Sequence, residues 1–162
     1  MIFNGRLHRG KHHLGGEFGY MLLSEPAETL GNWSLLASTG SLVRSVQAST
    51  GSQDWNGKKI YESAASGDET CQAAIEKMNR NLAKGLLNIQ YLFDPDVISL
   101  GGSISQNPDF TQGVRSAIAY YVDRYEEYSV VPEILACTYQ GEANLYGALV
   151  NWLQEEGQWP HS

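Results

Sequence analysis

Two glycine-framed segments contain the residues whose types and spacing could do chemistry. The first covers residues 14–20, with the sequence LGGEFGY, and carries Glu17 directly after Gly16. A carboxylate flanked by glycines can approach a polyhydroxylated ligand closely and accept hydrogen bonds from its hydroxyl groups. A glycine-rich turn with a solvated glutamate has the same pattern, and the spacing taken alone favours that structural interpretation.

The second segment covers residues 99–105, with the sequence SLGGSIS, and includes the end of a predicted strand. Ligands of open α/β sheets bind at the carboxyl ends of strands, and the bare backbone at Gly101 and Gly102 suits a phosphate or a nucleotide. The segment is not a P-loop, because no lysine follows in the GxxxxGK[ST] pattern. An ordinary turn between a strand and a helix explains the segment equally well.

A cluster of histidines near the start of the chain is a candidate metal site. Histidines four residues apart on a helix can share a metal ion. His8, His12 and His13 lie among Gly10 and Gly15, where no helix is expected, so a solvated basic loop is the favoured interpretation. The sequence also offers no serine–histidine–acid or cysteine–histidine arrangement, and no catalytic residue is predicted in this chain.

Composition and charge exclude several classes of partner. The 162 residues carry 18 acidic and 11 basic side chains, which gives a formal net charge of −7. A protein that grips a phosphate backbone needs a positive face, so we expect no nucleic-acid partner. No apolar run approaches the ~20 residues of a membrane span, and the first residues lack the apolar region of a secretory signal. Cys71 and Cys137 are too far apart to indicate a disulfide framework. We therefore expect a cytoplasmic protein with no membrane partner.

The elements that must position these segments are clearest from residue 68 onwards. Asp68 is a good N-cap, and apolar residues then recur at three- and four-residue intervals as far as Phe93, which predicts one long helix. Asp94-Pro95 ends this helix, because the residue before a proline is driven out of the α region. The segments predicted to follow are a strand over 97–100, a helix from Pro108 to about Tyr125, a strand from Val130 to Cys137 and a helix from Ala143 to Glu155.

Shorter elements are predicted in the first 67 residues. Asn4-Gly5 favours a hairpin, Ser38 is a plausible N-cap for a helix that ends near residue 50, and a second helix covers 58–65. The alternation of helices and strands predicts a single α/β domain over residues 1–162, with a sheet flanked by helices. Gly147-Ala148, inside the last predicted helix, indicates close packing against a neighbouring element.

Four motifs, in their order along the chain, resemble the C-terminal half of the ROK family, which groups bacterial sugar kinases with sugar-responsive repressors. They are NGRLHRG at 4–10, LGGEFGYM at 14–21, DPDVISLGG at 94–102 and LYGA at 145–148. The corresponding family patterns are NGKLxxG, AGEIGHM, DPExIVIGG and GxxGAA. The resemblance covers nearly the whole chain.

The resemblance implies the C-terminal half of an actin-like, ribonuclease-H-like sugar kinase fold. It implies that Glu17 binds sugar hydroxyls, with Gly16 and Tyr20 in the same sugar-binding segment, and that Gly101 and Gly102 lie against the nucleotide. The intact enzyme would pass the γ-phosphoryl group of ATP, bound with Mg²⁺, to a sugar hydroxyl, with an aspartate of the other half as base. The family is commonly dimeric through this half, so we expect a homodimer.

Two departures from the family pattern affect these expectations. Zinc-containing members place a histidine at the position of Tyr20 and a CxCGxxGC cluster after it, whereas the segment over 31–46 has no cysteine. This resembles the zinc-free branch, which includes β-glucoside kinases and related sugar kinases of Gram-positive bacteria, and no zinc is expected. The family's DxGxT phosphate loop, its GND segment with the catalytic aspartate and its GTGIGGG strand are also absent from this sequence.

Three hypotheses about function follow. The leading one is the sugar- and nucleotide-facing half of a ROK-type kinase that phosphorylates a hexose or a glucoside, inactive when this half is alone. The alternative is the effector domain of a ROK-type transcriptional repressor, which binds sugar without phosphorylating it. The missing histidine and zinc cysteines favour the kinase. The third hypothesis is a remnant that keeps the fold and has no activity.

Overall fold

The computed structural model describes residues 1–24, 31–127 and 129–158. Helices dominate this part of the chain, and its strands are short. The helices are α1 (Trp33–Ala37), α2 (Thr39–Thr50), α3 (Gly57–Ala65), α4 (Glu69–Phe93), α5 (Pro108–Val122) and α6 (Ala143–Glu155). The strands are β1 (Ile2–Phe3), β2 (Arg6–Leu7), β3 (Leu22–Ser24), β4 (Gly31–Asn32), β5 (Ile98–Leu100) and β6 (Ile134–Ala136).

The long helix α4 begins and ends where the sequence predicts. The Asp68 carboxylate accepts a hydrogen bond from the Cys71 amide at 2.9 Å, which satisfies one of the free N–H groups of the first turn. At the other end Asp94 adopts the left-handed conformation, with a φ of 43°, and Pro95 follows it. The cap and the proline therefore define a helix of 25 residues.

The hydrophobic core is built around α4, which packs against α2, α3 and α5. Side chains from all four helices meet there with almost no exposed surface, and burying each aliphatic side chain contributes about 1.5–3 kcal/mol. The large aliphatic side chains buried there are Leu42, Val46, Ile60, Leu86, Val114 and Ile118.

The strands form three separate pairs within the described residues. β1 and β2 make the predicted hairpin, whose turn residues Asn4 and Gly5 have φ angles of 49° and 73°, as a type I′ turn requires. β3 and β4 pair antiparallel. β5 and β6 pair in parallel, with Ile98 opposite Ile134, and the chain between them contains α5. This last unit, with helices packed around it, is the α/β arrangement expected from the sequence.

Three elements differ from their predictions. β6 begins at Ile134 and not at Val130, because Pro132 has no N–H to donate to a strand ladder. α5 ends at Val122, short of Tyr125, although the Tyr125 amide still donates to the Tyr121 carbonyl at 3.1 Å, so the difference is one terminal turn. The sequence also gave no sign of α1, which precedes the predicted cap at Ser38.

The last helix, α6, has the predicted bounds but lacks the predicted packing. None of its described residues is buried, and a Cβ added to Gly147 would meet no atom within 4 Å. Its exposed apolar residues are Leu145, Tyr146, Leu149 and Trp152. In the described part of the chain, no helix combines the length and apolarity needed to cross a bilayer.

Candidate functional site

The loop that carries Glu17 is a tight glycine turn. Gly15 donates its N–H to the Arg9 carbonyl at 2.8 Å, and a Cβ on Gly15 would lie 2.8 Å from the Arg9 carbonyl carbon, so only glycine fits there. Gly16 has a φ of 94°, which also favours glycine. Glu17 then caps a short 3-10 turn, in which the Tyr20 amide donates to the Glu17 carbonyl at 3.2 Å. The glycines therefore shape the backbone that presents Glu17.

The predicted sugar-binding residues lie together in this loop. Gly16 is half-buried, while Glu17 is exposed and Tyr20 is 72% exposed. The Glu17 carboxylate makes no hydrogen bond or ion pair with the described residues. A carboxylate with open acceptor positions can bind the hydroxyl groups of a ligand. The structure is compatible with the predicted role, which stays a prediction.

Aromatic packing fixes the Glu17 loop at the end of α4. The ring of Phe18 lies 5.5 Å from that of Phe93, and the ring of Phe3 lies 6.2 Å from the same residue on another side. The Trp33 amide donates to the Met21 carbonyl at 2.7 Å and connects the loop to α1. The loop is thus attached to two helices.

Trp33 in turn attaches α1 to α4. Its indole lies against Gly85, and its Nε1 donates to the Asn81 carbonyl at 3.0 Å. Gly85 is needed here because the indole occupies the space of a side chain. Neither residue was predicted to matter, because a single glycine in a helix gives no signal of a partner 52 positions earlier in the chain.

The predicted nucleotide-binding residues border a cleft of about 400 Å³. Gly102 follows β5 with a φ of 86°, and a Cβ built on it would meet no atom within 4 Å. A Cβ on Gly101 would meet only the Cys137 Cβ, at 3.9 Å. The backbone is therefore bare on the side where a ligand would approach. Other residues that line the cleft are Ser38, Thr39, Met78, Leu82 and Phe110.

The Glu17 loop and the Gly101–Gly102 cleft contact α4 at different positions along its axis. The Glu17 loop packs at Phe93, whereas the Gly101–Gly102 cleft borders Leu82. Eleven residues of an α-helix span about 16 Å. The structure does not bring the two segments into contact, so each forms one wall of a separate part of the candidate site.

The histidine cluster does not form a metal site in this structure. His8 packs its ring edge-on against Phe3 at 5.6 Å, and His12 and His13 are exposed in a loop, as the glycines predict. Within residues 1–24, 31–127 and 129–158, no three histidine, cysteine or acidic side chains are grouped closely enough to hold a metal ion.

A further cavity of about 480 Å³ lies between α3, α4 and α5 and was not predicted. Two buried polar atoms of residues that line it, the Tyr61 hydroxyl and the Asn79 Oδ1, have no hydrogen-bond partner among the described residues. Burial, and secondarily the Asp109 carboxylate, raises the pKa of Tyr61 to about 12. The available signal was the position of Asn79, four residues after Ile75 on the apolar side of α4.

Comparison with known protein sequences gives one consistent result. A family model described as the ROK family matches residues 1–155. A β-glucoside kinase from Listeria monocytogenes is 32% identical over 161 residues, a match that covers 96% of this chain and 52% of the relative. An N-acetyl-D-glucosamine kinase from Escherichia coli is 30% identical over 68% of this chain and 41% of the relative. The chain spans about half the length of the first of these relatives.

Solved structures show the same relationship. A ROK family protein from Streptococcus pneumoniae TIGR4, solved in complex with sucrose, is 70% identical with a TM-score of 0.92, covering 98% of this chain and 55% of that one. A ROK family glucokinase from Streptomyces griseus, solved with glucose and AMPPNP, is 27% identical with a TM-score of 0.73. The match covers 91% of this chain and 54% of the glucokinase chain. The predicted fold class, half of an actin-like sugar kinase fold, is confirmed.

Proposed function

Because this chain belongs to the ROK family, whose sugar kinases are its homologues, we propose that it is the sugar- and nucleotide-facing half of an ATP-dependent sugar kinase. The substrate class is a hexose or a glucoside, as the β-glucoside kinase and glucokinase relatives suggest. The proposal rests on one observation above all: the bare Gly101–Gly102 backbone beside an open cleft.

The proposed nucleotide site is formed by bare backbone and by the N-terminus of one helix. Without side chains at Gly101 and Gly102, a ribose and its phosphates can approach the backbone closely. Ser38 and Thr39 border the same cleft at the start of α2, where the helix dipole favours a negative group. The AMPPNP complex of the Streptomyces griseus relative supports an adenine nucleotide here, with Mg²⁺ accompanying its phosphates.

The sugar side of the proposal uses the Glu17 loop. The Glu17 carboxylate accepts hydrogen bonds from sugar hydroxyls, and the glycine turn that ends at Gly16 allows the ring to come close. Tyr20, exposed at the end of the loop, offers an aromatic face to the same ligand. The glucose and sucrose complexes of the two solved relatives support a sugar as the ligand class.

The attacking hydroxyl needs a base, and we assign none in this chain. Phosphoryl transfer depends on a phosphate cradle, Mg²⁺ ligands and a base held in one geometry. The relatives are about twice as long as the chain, and the resemblance assigns the catalytic aspartate to the other half. The exposed apolar side of α6 would pack on that half. We expect the assembled enzyme to be a cytoplasmic homodimer.

A chimera tests this function directly. In the pneumococcal relative, the 55% of the chain that aligns with this protein is replaced by residues 1–158, and ATP consumption is measured over a panel of hexoses and glucosides. At 70% identity we expect the chimera to fold and to turn over at least one sugar. Sugar binding without any turnover, in a chimera whose unmodified parent is active, would contradict the kinase and favour the repressor effector domain.

A further inference from the structure

We propose that Arg9 is a positioning residue, which ties the Glu17 loop to α6 and so makes sugar binding depend on where α6 lies. The inference rests on the proposed function in two respects, because it takes Glu17 as a sugar ligand and α6 as a helix that packs on the other half of the enzyme. It adds a physical connection between these two features, which are far apart in the sequence.

The side chain of Arg9 holds α6. Its Nη2 donates a hydrogen bond to the Asn151 Oδ1, and its Nη1 lies 3.7 Å from the Glu155 Oε1. The Asn151 Nδ2 in turn donates to the same carboxylate oxygen at 3.2 Å, so the three side chains contact one another. Asn151 and Glu155 are four residues apart and share one face of the helix, where a single guanidinium can reach both.

This contact matters because α6 has few others. None of its described residues is buried, and among the residues that the structure describes no other side-chain hydrogen bond or ion pair joins α6 to an earlier element. Exposed Trp152 directly follows Asn151, and successive helix residues point about 100° apart, so the apolar residues lie on another face. Arg9 therefore holds the polar face of α6 and leaves the apolar face open to the other half.

The backbone of Arg9 holds the Glu17 loop. The Arg9 carbonyl accepts a hydrogen bond from the Gly15 N–H at 2.8 Å. The two segments are packed closely, since a Cβ on Gly15 would lie 2.8 Å from the Arg9 carbonyl carbon and 2.9 Å from the Gly10 nitrogen. Glu17 follows Gly15 by two residues. A displacement of the Arg9 backbone is therefore passed to the backbone that presents Glu17.

The connection serves positioning more than stability. The side chains of Arg9 and Glu155 are 42% and 60% exposed, and an exposed ion pair contributes little to the free energy of unfolding. Ligand binding is more demanding, because binding groups must lie within about 0.5 Å of the productive geometry. Loss of this contact should therefore leave the fold intact and still change the affinity for sugar.

Amide chemical shifts of the ¹⁵N-labelled 162-residue chain test the connection without any ligand. The variant Asn151→Leu/Glu155→Gln removes both partners of Arg9 from α6. We expect it to shift the amides of residues 15–17, and to have no such effect when Arg9→Ala is already present. The matched control is Glu156→Gln, which makes the same charge change at a residue without an ion-pair partner in the described part of the chain. The control should leave those amides unchanged.

The chimera with the pneumococcal relative tests the consequence for sugar binding. The probes are D-glucose and sucrose, the sugars of the two solved relatives, and AMPPNP for the nucleotide site. In Arg9→Ala we expect the dissociation constant of the bound sugar to rise at least fivefold, while that of AMPPNP stays within twofold. Asn151→Leu/Glu155→Gln should have the same effect. The triple variant should bind sugar no more weakly than Arg9→Ala, because all three substitutions break one connection.

Three results would overturn the proposal. One is that the α6 substitutions leave the amides of residues 15–17 in place. Another is that Arg9→Ala weakens sugar binding while the α6 substitutions do not, which would make Arg9 a direct sugar ligand. The third is that sugar and AMPPNP lose affinity together, as a general loss of structure would cause. A chimera that binds neither sugar would refute the proposed function instead, and the amide shifts would then decide whether α6 positions the Glu17 loop.

Discussion

The indole of Trp33 lies across Gly85, so close that a Cβ on the glycine would come within 2.0 Å of the ring. Trp33 also donates its amide N–H to the Met21 carbonyl at 2.7 Å. One contact between two helices thus determines where the segment after the Glu17 loop meets α4. The proposed sugar site depends on a glycine far from it in sequence.

Replacing Gly85 with alanine should therefore be destabilising although alanine favours helices. The indole must leave its site and Nε1 must give up the Asn81 carbonyl, so we expect the free energy of unfolding to fall by about 1–3 kcal/mol. Urea unfolding followed by tryptophan fluorescence measures this. Stability equal to that of the wild-type chain would show that the contact is not tight.

Gly147→Ala is the matched control and carries a prediction of its own. Gly147 lies inside α6, and a Cβ there meets no atom within 4 Å, so the isolated chain should gain about 0.5–1 kcal/mol. If α6 packs on the N-terminal half of the family fold, the same methyl group should weaken association with that half of the pneumococcal relative. Titration of that half against both variants measures the effect, and equal affinity would exclude this part of α6 from the interface.

Glu17→Ala should weaken sugar binding much more than nucleotide binding in the active chimera. A hydrogen bond to a charged group contributes roughly 1.5–3 kcal/mol, so the sugar dissociation constant should rise by about 10- to 150-fold. Isothermal titration with sugar and with AMPPNP separates the two effects. An unchanged sugar affinity would mean that Glu17 is a solvated turn residue.

The 162-residue chain alone should show no kinase turnover. It provides two separate walls of a site, and the base of the resembled family is absent from the sequence. A coupled assay with MgATP and a panel of hexoses tests this. Turnover within a few orders of magnitude of the ~10 s⁻¹ of a typical enzyme would place the base inside this chain. It would refute the proposal that the other half of the enzyme supplies the base.

Tyr61 predicts a pH dependence of stability. Its folded-state pKa is raised from 10.0 to about 12, so the protonated form is favoured in the folded state. The stabilisation from the protonated phenol is fully present below pH 10 and is lost as the pH rises towards 12. The free energy of unfolding should have fallen by about 1 kcal/mol at pH 11. Urea unfolding at pH 9 and pH 11 should show a smaller decrease for Tyr61→Phe than for the wild type. Equal decreases would show that the phenol titrates normally.

Local signals in the sequence predicted much of the fold. The cap at Asp68, the proline at 95 and the periodic apolar residues define α4, and Asn4-Gly5 defines the hairpin, because each depends on a few neighbouring residues. The same holds for the glycine turn around Glu17. The spacing of Glu17, Gly101 and Gly102 suggested binding roles but did not distinguish them from ordinary turns, and the family resemblance then favoured a sugar and a nucleotide.

What the sequence did not predict depends on contacts between distant residues. The packing of Trp33 on Gly85 joins positions that have no local pattern in common. The cavity between α3, α4 and α5 forms where α5 approaches α4 at Gly113, and the sequence of either helix alone gives no sign of that approach. The packing expected at Gly147 is absent among the described residues, since periodicity shows that a face is apolar without showing what covers it.

The parallel pair of β5 and β6 has a practical consequence for handling the isolated chain. Within the described residues the two strands pair only with each other, so each has an outer edge without a neighbouring strand. On β6 the Ile134 carbonyl accepts a hydrogen bond from Arg115 Nη2 at 2.8 Å, which covers part of that edge. Free edges of this kind recruit strands from other molecules and promote aggregation. The stretch before β6 begins with exposed Val130 and Val131, but Pro132 and Glu133 follow them directly. Proline and charged residues block the edge-to-edge pairing of strands, so we expect Pro132 and Glu133 to protect this edge against fibril formation.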